Sequence, residues 1–158
     1  MGMIGNYIAL DDIQIKQIAD GEIELEQLDL TANETLDIDK SWQAIHYLLC
    51  GDICEGAPPL GYVVPMLDEN MVDFAEYGAF YLFCAQVEEA FHAVAKLSER
   101  DVVNLYRFEA MLEDGVYPIV SDEDGESFFE YLLANLRAIQ SFYEKVAAKK
   151  QGVIFYIL

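Results

Sequence analysis

The chain closes on Gly152-Val153-Ile154-Phe155-Tyr156-Ile157-Leu158, an uncharged run of β-branched and aromatic residues behind a glycine. Such a run reads as a strand, and one this apolar belongs in the interior of a sheet. Just ahead of it, Phe129, Leu132, Leu133, Leu136, Ile139, Tyr143 and Val146 trace one apolar stripe at helical spacing. Asp122, Glu123, Asp124 and Glu126 stand at the start of that helix, and Lys145, Lys149 and Lys150 near its end. Both termini therefore complement the helix macrodipole. Gly152 is placed to stop the helix and release the strand.

The rest of the chain supplies further elements. Met3 to Leu10 reads as an opening strand. Asp11 or Asp12 can cap a helix carrying Ile15, Ile18 and Ala19, which Gly21 ends. Glu22 to Leu30 reads as a short helix on the spacing of Leu25 and Leu28. Asp37 or Asp39 caps a helix with Trp42, Ile45, His46, Leu49 and Cys50 on one side, and Gly51 ends it in the left-handed conformation. From Asp52 to Asn70, Gly56, Pro58, Pro59, Gly61 and Pro65 mark a long loop. Tyr77 to Phe83 suits a strand buried on both faces, and Cys84 to Leu97 a helix burying Val87, Ala90, Phe91 and Val94. Ser98 and Asp101 form a capping box for a helical region that runs to Gly115, kinked or broken inside, with Leu105, Phe108 and Leu112 inward. Val116 to Val120 is extended. The expectation is a single α+β domain over 1–158, four or more helices packed around a small sheet that includes the N- and C-terminal strands.

Composition bounds the partners. Residues of the AVILMFWYC set make up 54% of 158 residues, enough for one good core without help from metal or disulfides. The formal charge is −20, so phosphate backbones and anionic lipid surfaces repel the chain. Neither nucleic acid nor a membrane is expected as a partner. The longest apolar run, Tyr77 to Ala85, is far below the roughly 20 residues that cross a bilayer. No basic leader opens the sequence, and Cys50, Cys54 and Cys84 are an odd set, so reduced thiols in a cytoplasm are expected.

Candidate chemistry is sparse. His46, Cys50 and Cys54 recur every four residues, but Gly51 interrupts the helix that would align them as zinc ligands. Glu89 and His92 have the spacing of a di-iron helix without a second copy. Asp122-Glu123-Asp124-Gly125 resembles a calcium loop, but the register places Val120 and Tyr131 where the first and last ligands belong. No metal or other cofactor is expected. Phosphate-cradling glycine loops and the Gly-x-Ser-x-Gly and His-Glu-x-x-His patterns do not occur. What remains is a candidate pocket in which Trp42 and His46 meet Tyr62 and Tyr81.

Several stretches together resemble the YfbM-like family, a bacterial family labelled a domain of unknown function. They are the opening Met1 to Tyr7, Leu36 to Trp42, Ile45 to Leu49, Tyr77-Gly78 with Tyr81-Leu82, and Tyr131 to Leu133 through Phe142-Tyr143. The resemblance spans essentially the whole chain, implies a compact α+β fold and supplies no catalytic residue. The family pattern implies Thr-Pro after Tyr81-Leu82, where this chain has Phe83-Cys84 and so lacks a hydroxyl cap.

The charge has two readings, solubility alone, which is the commoner use of net charge, and a docking surface for a basic protein; with the missing motifs the second leads to a non-catalytic interaction protein that binds a basic protein partner, as an immunity or inhibitor protein does. Glu22, Glu24, Glu26, Asp122, Glu123 and Asp124 are its candidate acidic surface. The alternative is a small enzyme or ligand-binding domain built on the Trp42 and His46 pocket. No oligomeric state follows from the sequence.

Overall fold

A computed structural model of the chain describes residues 2–158. Five strands, β1 (Gly5–Leu10), β2 (Thr35–Asp37), β3 (Met71–Val72), β4 (Ala79–Leu82) and β5 (Gly152–Ile157), form one antiparallel sheet in the order β2-β1-β5-β4-β3. The apolar closing strand is thus the middle strand, flanked by the N-terminal strand and by β4.

Because side chains alternate across a strand, β5 has to bury two faces, and it does so against two separate layers. On the first face Tyr7, Phe155 and Phe80 stand in register, with the Tyr7 and Phe155 rings 5.0 Å apart. This row packs under α2 (Trp42–Cys50), α3 (Cys84–Ala95) and α6 (Gly125–Ala148). On the second face Ile8, Ile154 and Tyr156 meet Ile15 and Ile18 of α1 (Asp12–Ala19) and Leu25 of the following loop. Antiparallel sheets often leave one face in water, whereas here all six residues of β5 are buried.

A polar node fastens the long loop to this core. The hydroxyls of Tyr7 and Tyr143 both donate to the Val63 carbonyl, at 2.6 and 2.9 Å, and both rings are fully buried. Val63 and Val64 are themselves fully buried, so the loop, exposed over much of 52–60, dips into the core at 61–65.

Several elements differ from the sequence expectation. Glu22 to Leu30 forms no α-helix; Leu25–Gln27 and Leu30–Ala32 are short 3-10 turns, which suffices to seat Leu25 on the sheet. Neither Asp37 nor Asp39 caps α2. Asp37 Oδ1 accepts from the Asp39 N–H at 2.7 Å and starts a 3-10 turn, Asp39–Ser41, that leads into the helix. The strand expected over Tyr77 to Phe83 is confined to β4, because Gly78 adopts φ +78° in a turn closed by its N–H on the Phe74 carbonyl. The helical region after the Ser98 and Asp101 capping box is two helices, α4 (Glu99–Leu105) and α5 (Phe108–Glu113). The break at Tyr106-Arg107 resets the rotation: Val102 and Met111 are the fully buried residues, Leu105 and Phe108 pack half-buried against the core, and Leu112 is half-buried. In α6 the stripe includes Phe128 and Phe142, and Phe129 lies at its margin.

Where the family pattern has a hydroxyl cap, the start of α3 is satisfied otherwise. Gln86 Oε1 accepts from the Phe83 N–H at 2.9 Å, and Asp12 Oδ1 of α1 accepts from the Cys84 N–H at 2.8 Å. Two layers are thereby joined at the rim of the sheet.

Gly152 has no room for a side chain, since a Cβ there would collide with the Leu82 carbonyl oxygen and Ile15 Cδ1. Gly152→Ala is expected to cost about 1–3 kcal/mol by overpacking. Gly51→Ala has open space around it but a φ of +74°, and is expected to cost about 1 kcal/mol from backbone conformation alone. Urea midpoints of the two variants at equal slope check the ranking.

Candidate functional site

Trp42 and His46 leave α2 on its inner side and are both sealed. Trp42 is 5% exposed; its Nε1 donates to the Met3 carbonyl at 2.9 Å and its ring lies 5.9 Å from Tyr117. His46 is 1% exposed beneath Cys54 to Gly56, with Nε2 3.3 Å from the Glu55 carbonyl oxygen. A carbonyl can only accept, which assigns the proton to Nε2 and leaves Nδ1 as an acceptor; Nδ1 is buried without a partner. Burial depresses the imidazole pKa, while carbonyls of Glu55, Val64 and Cys54 and the Asp52 carboxylate pull more weakly the other way. The ring is a neutral packing element. A Cβ on Gly56 would lie 2.6 Å from Cys50 Sγ and 3.2 Å from His46 Cε1, so the loop rests directly on thiol and imidazole. Burial, with the nearby Asp52 charge adding to it, pushes the Cys50 thiol up to about 11.

The four residues of the expected pocket do not converge. Tyr62 lies in the long loop on the helical side, where its carbonyl accepts from Tyr143. Tyr81 is on the opposite face of the sheet, against Phe83 at 5.5 Å. The reason is strand parity: Phe80 and Leu82 point to the helical layer, so Tyr81 between them cannot. Among the described residues no group of three His, Cys, Asp or Glu side chains is arranged to hold a metal ion.

The acidic residues lie outside. The buried polar side chains are Ser41, His46 and Asn70, so the carboxylates all face solvent wholly or in part. Among the described residues four exposed ion pairs occur: Lys16–Asp20, Arg137–Glu99, Lys149–Glu34 and Lys150–Glu88. Pairs of this kind contribute about 0–1 kcal/mol each, and they leave most of the negative charge uncompensated. The two expected acidic groups are separate surfaces. Glu22, Glu24 and Glu26 flank Leu25 on the α1 layer, whereas Asp122, Glu123 and Asp124 precede α6 on the other layer. Asp124 also caps α6, accepting from the Ser127 N–H and hydroxyl at 3.2 and 2.7 Å, bonds that hold its carboxyl below the usual range.

Beside this cap lies a groove of about 740 Å³ between α4 and the first turns of α6. Val103, Tyr106 and Phe129 are its apolar lining, and Asp124, Glu126 and Glu130 its acidic lining. The Tyr106 and Phe129 rings meet edge to face at 5.1 Å, and the aromatic contacts continue through Phe108 and Phe128 to Tyr131. Of this lining, sequence reading placed Asp124 on an acidic surface, Glu126 at the helix start and Phe129 in the apolar stripe, and it missed Val103, Tyr106 and Glu130. A signal was present in Glu126-Ser127-Phe128-Phe129-Glu130-Tyr131, where two acids four residues apart on a helix bracket a pair of aromatics; the contribution of Val103 and Tyr106 depends on the break between α4 and α5.

A five-stranded antiparallel sheet with its N- and C-terminal strands paired at its middle, α1 on one face and the other helices on the opposite side, defines an α+β domain in which His46 is sealed inside the core. The chain belongs to the family described as a domain of unknown function, DUF1877, which matches residues 1–156. It is similar in fold to a crystal structure of YfbM from Escherichia coli, itself described as a protein of unknown function. That similarity has a TM-score of 0.78 at 19% identity and covers 98% of this chain and 99% of that one. No curated protein matches the chain.

Sealed and neutral, His46 makes a pH prediction. Its folded pKa lies below the ordinary 6.5, so on acidification the unfolded chain takes up a proton that the folded chain refuses. Stability is expected to decline from about pH 6.5 down to the depressed folded value, and His46→Leu to lose that component of the slope. His46→Ala is expected to cost about 2–4 kcal/mol through the cavity it leaves. Urea unfolding at a series of pH values measures both; an unchanged slope in His46→Leu contradicts the assignment.

Proposed function

We propose that the chain is a non-catalytic interaction protein whose acidic surface binds a basic protein partner, as an immunity or inhibitor protein shields a cationic surface. The observation that carries this reading is the outward placement of carboxylates on a chain of charge −20, with four exposed ion pairs among the described residues to offset them. Such a field accelerates encounter with a cationic protein and weakens as salt screens it. The free thiols of Cys50, Cys54 and Cys84 suit a reducing compartment such as the cytoplasm. Among the described residues no helix is long and apolar enough to cross a membrane.

The competing reading, a small enzyme or ligand-binding domain around Trp42 and His46, requires a substrate to reach an imidazole that is 1% exposed beneath the Gly56 loop. The acidic surface needs no such opening.

Immobilised full-length chain, exposed to host lysate at low salt, is expected to retain a basic polypeptide that is released as the salt is raised several-fold. An unrelated protein of equal charge serves as the reference. Retention no greater than on that reference, at every ionic strength, overturns the reading.

A further inference from the structure

Among the surface features, the groove between α4 and α6 combines apolar area with charge of one sign. Its lining includes no Lys or Arg, and Val103 is 52% exposed there. The second apolar groove, between Pro58-Pro59-Leu60 and α3, carries Glu89 together with His92 and Lys96, so its charge selects no partner.

We infer that the groove formed by Val103, Tyr106 and Phe129, rimmed by Asp124, Glu126 and Glu130, receives an arginine side chain from an extended basic segment of a protein partner. The inference rests on the acidic-surface reading above and gives it a place and a residue preference. A guanidinium stacks on aromatic faces within about 6 Å and forms forked bonds to carboxylates, and its aliphatic stem covers apolar surface. The Tyr106 and Phe129 rings and the carboxylates of Asp124, Glu126 and Glu130 line one groove and between them supply all three. The Tyr106 hydroxyl donates to the Gly125 carbonyl at 2.8 Å, which holds the ring at the lip of the groove. Negative potential reaches that ring: burial, with Glu123 and Asp124 adding to it, pushes the phenol up to about 12. An ammonium would find the same charge but would not stack as a planar fork does, so arginine is preferred to lysine.

The negative lining continues beyond this groove. A smaller hollow of about 290 Å³ shares Ser127 with it and carries Asp39 and Glu123, along with Lys40 and Tyr131. An extended segment crossing Ser127 can therefore place successive side chains in both, which a free amino acid cannot.

The test uses the full chain and an acetylated Ser-Arg-Leu-Arg-Ser peptide, with copies carrying Lys or Gln for Arg, titrated at low ionic strength by amide-resolved NMR. Shifts are expected to cluster at Val103, Tyr106 and 125–130, with the Lys copy weaker and the Gln copy silent. Val103→Lys, at an exposed position, and the double variant Glu126→Gln/Glu130→Gln are each expected to weaken the Arg peptide roughly tenfold. The triple variant Glu22→Gln/Glu24→Gln/Glu26→Gln removes more charge elsewhere and is expected to weaken it less than about twofold. Circular dichroism confirms that each variant is folded. Equal weakening by the groove variants and the triple variant, or shifts spread over the whole acidic surface, overturns the groove and leaves the acidic-surface reading intact. Absence of peptide binding likewise overturns the groove. The acidic-surface reading fails separately, if the lysate experiment finds no salt-sensitive partner.

Discussion

A six-residue strand without a charged side chain is tolerable in water only when both of its faces and both of its edges are covered. β5 imposes that requirement on everything else. Pairing with β1 and β4 covers the edges; α2, α3 and α6 cover one face and α1 with Leu25 the other. The small α1 layer, which adds only two buried isoleucines of its own, is needed because one exposed face would place Ile154 and Tyr156 in solvent. Even the loop after α1 follows from this, since Leu25 closes what one eight-residue helix leaves open.

The interior's few polar groups act as fasteners. Val63 offers one carbonyl to two phenols, Trp42 holds the N-terminal segment through the Met3 carbonyl, and His46 supports the Gly56 loop through the Glu55 carbonyl. A buried donor left without an acceptor would cost about 1–3 kcal/mol, so each bond ties an irregular segment to the core. Charge is kept entirely outside. The result is a division in which packing sets the fold and the surface is free to carry a field.

Periodicity made much of this legible. The interior position of β5, the polarity-matched ends of α6, the left-handed stop at Gly51 and the Ser98 capping box all follow from neighbouring residues, and local rules describe them. Tyr81 shows the limit. A continuously apolar strand has no alternation from which to read its parity, so the side of the sheet it faces is settled only by its partners. His46 shows another. Its spacing with Trp42 placed both on one helix side correctly, but burial under Gly56 is a contact made by a loop whose path no periodicity describes. Val102 and Met111 were obscured by the break at Tyr106-Arg107, and the same break hid the groove, whose two walls are joined only in three dimensions.

The sheet's outermost strands are brief: β2 has three residues and β3 two. Strands this short present little backbone for another molecule to pair with, and Asp37 in β2 adds a charge at one border. Val153 to Ile157, an uncharged β-branched and aromatic run of the kind that stacks into cross-β fibrils, is meanwhile paired on both edges and can template nothing while its neighbours stay in place. A chain with this much apolar sequence thus carries its own defence against fibril growth, and that defence is lost first wherever β1 or β4 can peel away from the centre.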